Sequence, residues 1–310
     1  MRTVQLNEWG IENVRAADAA DPVPAAGEVL IAAEAATINP ADLSMVSGQF
    51  ASWLPASITA PYTPGWDLAG RIVGVGGGVD ASLVGSRAVG FSNWAQAGHG
   101  TQASLVALPL GSVATTAGEL PSAQLTTVSL NGLTAWAAIR ELALEGGQTL
   151  VIAGAGGSVG GFALELAVAR GIRVIAAVSE RDREYVLHLG ASEVAAREDG
   201  SLGAVVRKFA PDGADALFDT TTSLGTAGLG AVRDGGVYVT STTPPEPERG
   251  IRAVKIYGLP DGDALQTLVD MATAGRLHTP VAREFNIEQA RDAYGEFASG
   301  PHRGRIVLTF

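Results

Sequence analysis

One stretch constrains this chain more than any other. Thr149-Leu150-Val151-Ile152-Ala153 is a continuous apolar run, and it passes without a break into Gly154-Ala155-Gly156-Gly157-Ser158-Val159-Gly160-Gly161. Apolar residues without alternation mark a strand buried on both faces, the kind found in parallel sheets. A helix is predicted from about Val159 to Arg170, with Phe162, Leu166 and Ala169 at spacings of three and four and Gly171 as its stop. A second apolar strand follows at Arg173 to Val178. Strand, glycine turn, helix and strand in this order are the context that a dinucleotide fingerprint requires. Glycine lets the backbone approach a pyrophosphate closely, and the helix N-terminus offers unpaired N–H groups and the positive end of its dipole. Gly154, Gly157, Ser158, Val159 and Gly160 are therefore candidate cofactor-binding residues. The plainer reading of the same glycines is a tight strand-to-helix turn.

The alternation continues downstream. Helices are expected over 183–189, 202–209 and 262–274, and strands over 216–219, 236–239, 251–258 and 304–308. Strand-helix repetition at this spacing predicts a doubly wound parallel sheet. The chain before residue 125 reads differently. Short strands at 28–33, 70–76, 86–91 and 103–108, punctuated by Gly and Pro, suggest a barrel-like β domain. A helix around Trp136, Ile139 and Leu142 separates the two patterns. The fold class expected is α/β, a β-barrel domain joined to a doubly wound parallel sheet. The expected divisions are 1–125 for the first domain, 126–260 for the dinucleotide domain and 261–310 for a C-terminal return to the first.

Composition narrows the partners. The net charge of −11 disfavours nucleic acid and anionic membrane surfaces. The absence of cysteine excludes disulfides, thiolate zinc sites and a Cys nucleophile. The N-terminus has no apolar core of the signal-peptide kind, and no apolar run reaches the roughly 18 residues that span a bilayer. A cytoplasmic protein acting on a small molecule is the expectation.

The end of the second strand bears on which nicotinamide cofactor is used. Ser179 stands 19 residues beyond Gly160 and is followed by Glu180-Arg181-Asp182-Arg183. NAD binders place a carboxylate here to accept from the ribose hydroxyls, whereas a guanidinium suits a 2′-phosphate. Ser179, Arg181 and Arg183 point to NADPH. Glu180 as a ribose ligand is the competing reading, and a solvated helix start is the bland one. Asp219 and Thr240 end parallel strands, where doubly wound sheets bind ligands, unless they simply cap those strands. Arg305 is a candidate for a cofactor phosphate, against a solvated charge.

Further motifs run through the chain in order: Gly27-Glu28-Val29-Leu30-Ile31, Ile38-Asn39-Pro40-Ala41-Asp42, Pro64-Gly65-Trp66-Asp67-Leu68-Ala69-Gly70, Asn131-Gly132-Leu133-Thr134-Ala135-Trp136, the glycine cluster, and Gly304-Arg305-Ile306-Val307-Leu308. Together they resemble the medium-chain dehydrogenase/reductases, in particular their zinc-independent, quinone oxidoreductase branch, and the likeness covers nearly the whole chain. The resemblance implies a GroES-like catalytic barrel, a Rossmann domain, a substrate held over the nicotinamide in the cleft between them, and a homodimer paired through the last Rossmann strand at about Ala253 to Leu259. It also implies that Asn39 lies beside the nicotinamide and that Thr134 contacts the cofactor. Zinc-dependent members place Cys where Asn39 stands and His-Glu where Trp66-Asp67 stands. The histidines, at 99, 188, 278 and 302, show no ligand spacing, so no metal is expected.

The activity implied is hydride transfer from NADPH to a quinone or an α,β-unsaturated carbonyl. Negative charge developing on the acceptor oxygen needs a donor. Asn39 is the candidate, against a turn-forming Asn before Pro40. Phe50, Trp53, Tyr62, Trp66 and Trp94 are candidate substrate walls, against ordinary packing, and 46–61 is a candidate lid. Two positions depart from the quinone oxidoreductase pattern, Ala103-Ser104-Leu105 in place of Ala-Glu-Tyr and Phe50 in place of Tyr. An enoyl reductase of secondary metabolism and a non-catalytic NADPH-binding sensor stay open beside the first reading.

Overall fold

Residues 28–38 alternate burial along most of their length, as a strand with one face on a core does. They belong to the first of two compact units, formed by Met1–Leu130, Leu259–Gly275 and Thr279–Phe310; the second is formed by Asn131–Gly258 and Arg276–His278. The computed structural model describes residues 1–221, 223–300 and 302–310, and the side chains of Trp53, Ala95 and Gln96 lie outside the description.

The elements of the first unit begin with strands β1 (Arg2–Gln5), β2 (Arg15–Asp18) and β3 (Glu28–Ile38), helix α1 (Pro40–Val46), and strands β4 (Asp67–Val75) and β5 (Arg87–Phe91). Helix α2 (Trp94–Ala97), strands β6 (Leu105–Pro109) and β7 (Val113–Thr116) and helix α3 (Ser122–Leu125) follow. Helix α4 (Ser129–Leu142) leads into the second unit. That unit contains β8 (Thr149–Ala153), α5 (Ser158–Val168), β9 (Arg173–Val178), α6 (Arg183–His188), β10 (Glu193–Ala196), α7 (Leu202–Phe209), β11 (Ala214–Asp219), β12 (Val232–Thr240) and β13 (Arg252–Lys255). The first unit is completed by α8 (Gly262–Thr273), β14 (Val281–Asn286), α9 (Ala290–Ala298) and β15 (Arg305–Thr309).

In the first unit the strands run in the order β14-β15-β3-β4-β5-β7, with β6 on β3. All these pairs are antiparallel except β14 with β15. One core gathers Val29, Ile31, Leu68, Ile72, Val106 and Leu108. A second gathers Val4, Leu6, Ile38, Tyr294, Ile306 and Leu308. The C-terminal strand thus completes the sheet that the N-terminal third began.

In the second unit six parallel strands take the order β10-β9-β8-β11-β12-β13. Numbered along the chain this is 3-2-1-4-5-6, the Rossmann order. Leu150, Val151 and Ile152 are each 0% exposed. Burying such a side chain contributes about 1.5–3 kcal/mol, which is why this run reads as a strand so clearly. Helix α5 departs from the amphipathic expectation: every residue from Gly160 to Ala167 is buried, Glu165 included. The carboxylate has a partner, since Glu165 accepts from the His278 backbone N–H at 3.0 Å and bonds the His278 Nδ1 at 2.5 Å. Residues 276–278 belong to this unit.

Strand 251–258 shortens to β13, and the 46–61 segment carries a 3₁₀ turn at Ala51–Trp53. Among the described residues no helix is long and apolar enough to cross a membrane.

Candidate functional site

The order of the Rossmann sheet reverses between β8 and β11. Ligands bind at the carboxyl ends of the strands at such a switch point, and the glycine turn follows β8 there. Gly154 has φ +81, and a methyl group on it would lie 2.4 Å from the Thr220 Oγ1. Thr220, just after β11, donates through its hydroxyl to the Ala153 carbonyl at 2.8 Å and through its backbone N–H at 3.1 Å, which ties the two strand ends together. Gly160 lies under the turn, where a methyl would meet the Gly154 carbonyl oxygen at 2.3 Å and the Ala155 Cα at 2.7 Å.

Gly157 is the N-cap of α5, and no side chain caps the helix. Its own position is open, since a methyl there would find only the Gly154 oxygen, at 3.4 Å. The first-turn N–H groups, at Ser158, Val159 and Gly160, therefore have the positive helix end to themselves. This arrangement fits the pyrophosphate of a dinucleotide: two glycines needed for the turn, one that leaves room, and a helix end without a side-chain acceptor.

The groups assigned to a 2′-phosphate stand at the end of β9. Ser179, 9% exposed, donates to the Asp182 Oδ2 at 2.8 Å. The Arg181 Nε is 3.5 Å from the same oxygen. Arg183 makes two bonds to Glu180, at 2.6 and 2.8 Å, and holds that carboxylate below its usual range. Glu180 is thereby committed to Arg183. Asp182, to which the sequence reading gave no role, is a second carboxylate at this strand end.

Asp219, 2% exposed, is occupied by its neighbours. Its Oδ1 accepts from the Thr221 N–H at 2.8 Å and hydroxyl at 2.7 Å, and its Oδ2 from the Tyr238 hydroxyl at 2.7 Å. Burial and this neighbouring carboxylate raise the Tyr238 phenol well above its ordinary value. Thr240 is fully buried and accepts from the Thr242 N–H at 3.0 Å. Both behave as strand-end structure. Thr134 is 7% exposed on α4.

In the first unit, Asn39 caps α1, with Pro40 at N1 and Asp42 at N3 returning a bond to the Asn39 N–H at 2.8 Å. Asn39 is 0% exposed. Its amide donates to the Thr37 Oγ1 at 2.9 Å and to the Asp67 Oδ2 at 3.0 Å. An amide has two hydrogens, so none remains for a substrate oxygen, and the donor role expected of Asn39 is corrected to one of positioning. Asp67 also accepts at Oδ1 from the Thr37 N–H at 2.9 Å and hydroxyl at 2.5 Å.

Arg305 is 7% exposed; burial lowers its pKa to about 10, while the charges of Asp67 and Asp42 favour its ionised form. Its burial sets it apart from a solvated surface charge. Burial first, then the charge of Asp67, lifts Asp42 to about 8. Burial also raises Asp67, against the hydrogen bonds of Thr37 and Asn39. Gln102 links the cluster outward, donating to the Thr37 carbonyl at 3.2 Å and accepting from the Tyr294 hydroxyl at 2.9 Å. The sequence showed the N-x-x-D capping pattern at 39–42. It held no sign of Thr37, Gln102 or Tyr294.

The expected substrate walls separate. Trp94 is 1% exposed and belongs to the core. Tyr62 is half-buried, stacked on Trp9 at 4.2 Å between ring centroids. Phe50 and Trp66 are half-buried, with Trp66 6.3 Å from Phe91. The Trp53 side chain lies outside the described residues. Among the described residues no group of three or more His, Cys, Asp or Glu side chains converges as a metal site.

Comparison with known proteins agrees with this architecture. Residues 25–128 match the family model of the alcohol dehydrogenase GroES-like domain, and 189–308 that of the zinc-binding dehydrogenases. A chloroplast envelope quinone oxidoreductase homolog from Arabidopsis thaliana is 26% identical over 330 residues, covering 99% of this chain and 98% of the relative. A quinone oxidoreductase from Rattus norvegicus is 31% identical over 226 residues, covering 71% of this chain and 66% of the relative. The crystal structure of an alcohol dehydrogenase superfamily protein from Novosphingobium aromaticivorans superimposes with a TM-score of 0.90 at 26% identity, over 100% of both chains.

Proposed function

The chain belongs to the medium-chain dehydrogenase/reductases, in their quinone oxidoreductase-like branch, and we propose that it transfers hydride from NADPH to a quinone or an α,β-unsaturated carbonyl without a metal. The observation that carries this reading is the glycine turn at the switch point, open at Gly157 and facing an uncapped helix end. The acceptor class rests on the relatives, which are named quinone oxidoreductases.

When bound, the reduced nicotinamide supplies two electrons and a hydrogen as hydride; a proton from water completes the hydroquinone or the saturated carbonyl. The chain's own share is positioning. The Ser158, Val159 and Gly160 N–H groups would hold the pyrophosphate, and Arg181 with Ser179 the 2′-phosphate. Phe50 and Trp66 offer half-buried rings against which a planar acceptor can stack. Asn39 and Asp67, bonded to each other and buried, would serve as scaffold at the start of α1.

Independence from zinc is argued from the donor set. The chain has no cysteine, and Asn39 and Trp66-Asp67 stand where zinc-dependent members carry their ligands. We also propose a homodimer paired through β13, which among the described residues is an edge of its sheet. NADPH oxidation in the presence of a chelator, with a panel of quinones and enones, tests the reading. Turnover with at least one acceptor supports it. Binding without oxidation by any acceptor assigns the chain to the non-catalytic class, and zinc-restored activity refutes metal independence.

A further inference from the structure

Trp9 has no task in the chemistry proposed so far. Its indole is half-buried and stacks on the Tyr62 ring, with 4.2 Å between centroids and 17° between planes. A methyl group built on Gly48 would lie 2.9 Å from the Trp9 Cγ and 3.0 Å from its Cβ, and Gly48 has φ +80, where a side chain is strained. One indole therefore meets both Gly48 and Tyr62. The backbone repeats the pattern. Gly10 donates to the Val46 carbonyl at 2.7 Å, while Leu6 and Tyr62 exchange bonds at 3.1 and 2.9 Å. The Trp9 carbonyl itself accepts from the Asn13 side-chain amide at 3.0 Å.

The chain between these two anchor points, 49–61, has the form of an Ω-loop, a surface loop of roughly 6–16 residues whose ends are close. Its bonds from the Ala51 N–H to the Gly48 carbonyl, at 3.1 Å, and from the Ile58 N–H to the Pro55 carbonyl, at 2.9 Å, are local. Phe50 sits inside the first of these turns, one step from the indole contact at Gly48. No charged residue stands between Asp42 and Asp67, and most of 51–61 is exposed. A segment of this kind can cover a neutral ligand without burying an unpaired charge.

We infer that Trp9 is a positioning residue, which holds Phe50 and the uncharged loop behind it in place for a neutral, planar acceptor. The inference rests on the proposed role of Phe50 as an acceptor wall. Trp9 acts through Gly48 and Tyr62, the two ends of the loop, and touches neither acceptor nor dinucleotide. Its loss should therefore weaken the hold on the acceptor and leave the nucleotide site of the second unit as it was.

Wild type, Trp9→Ala and Trp9→Phe are assayed with NADPH and a neutral naphthoquinone. NADPH affinity is read separately from the fluorescence of the reduced nicotinamide, and limited digestion with chymotrypsin reads cleavage after Phe50. Trp9→Ala is expected to raise the quinone KM about tenfold or more and to speed that cleavage, with NADPH affinity changed by less than about twofold. Trp9→Phe, which keeps a ring for Tyr62 to stack on, is expected to bring the quinone KM back to within about threefold of wild type. Gly48→Ala, whose methyl would press on the indole, is expected to act in the same direction as Trp9→Ala, and it carries the test if Trp9→Ala fails to fold. A quinone KM within about twofold of wild type in the folded variants refutes the positioning role, whether or not cleavage speeds up. A KM rise matched by an equal loss of NADPH affinity refutes it as well, because damage is then general. If the wild type binds NADPH and reduces no acceptor, the acceptor reading itself fails, and this inference with it.

Discussion

The glycine turn allows the needs of the fold and of the ligand to be separated at two neighbouring positions. In Gly160→Ala the new methyl would sit 2.3 Å from the Gly154 carbonyl oxygen, 2.7 Å from the Ala155 Cα and 2.8 Å from the Gly154 carbonyl carbon. All three are backbone atoms, so no side chain can swing aside, and the turn and the helix must part by about 1 Å before contact is ordinary. Overpacking of this kind costs about 1–3 kcal/mol, and a rigid backbone obstacle puts Gly160 at the upper end. Alanine's advantage over glycine within a helix returns about 1 kcal/mol, which leaves a net loss of about 2 kcal/mol.

Gly157→Ala differs in both respects. Gly157 has φ −86 and ψ 169, extended backbone open to any residue, and its methyl would meet only the Gly154 oxygen at 3.4 Å. Its stability should stay within about 0.5 kcal/mol of wild type. The methyl does, however, occupy the space that a pyrophosphate would approach, so NADPH affinity should fall about tenfold or more. Urea denaturation followed by far-ultraviolet circular dichroism, paired with an NADPH titration, reads both quantities. A Gly160→Ala protein as stable as wild type, or a Gly157→Ala protein that binds NADPH as wild type does, would refute the reasoning.

Three further outcomes follow from the buried polar groups. Asp42 has its folded-state value raised from 3.8 to about 8, so between those values it holds a proton when folded and releases it on unfolding. Its contribution to stability is complete below pH 3.8 and is lost as pH rises through 8, at up to about 1.4 kcal/mol per pH unit; Asp42→Asn should flatten this slope in urea midpoints measured across the window. Tyr238→Phe leaves the Asp219 Oδ2 without its 2.7 Å donor and should cost about 1–3 kcal/mol by the same denaturation assay, with no loss if Asp219 is instead solvated. Glu165→Ala removes the acceptor of the His278 backbone N–H and ring and should cost about 1–3 kcal/mol. Glu165→Gln, which keeps an acceptor, should cost less.

What was legible in the sequence was mostly local. The run at 149–153 is a strand with those limits, because a segment buried on both faces by a parallel sheet needs apolar residues throughout. Helix 202–209 likewise has the expected bounds, since its apolar residues fall on one face. Strand β14 escaped because most of its residues are exposed, so no apolar alternation marks it. Helix α9 escaped because its buried residues, Ala290, Ala293 and Tyr294, are few and two of them are small. Helix α1 carried its signature in Asn39, Pro40 and Asp42, but Asn39 had been given to chemistry.

The site divides in the same way. The glycine turn was readable because its parts are adjacent in the chain. The bonding of Asn39 to Thr37 and Asp67, and the burial of Arg305, were not, because β15 and β4 flank β3 only once the sheet has formed. Arg305 therefore read as a free cation and Asn39 as a free donor. Asp182 lay in plain view between two arginines. Only the fold of β9 against the glycine turn shows that its carboxylate faces Gly156.

The central claim is that the second unit binds a reduced nicotinamide dinucleotide at the glycine turn. The most direct measurement is a calorimetric titration of the full chain with NADPH and, separately, with NADH. The account predicts saturable one-to-one binding per chain, with NADPH the tighter of the two. Binding of neither would contradict it at its root, and tighter binding of NADH would contradict the assignment of Arg181 and Ser179 to the 2′-phosphate.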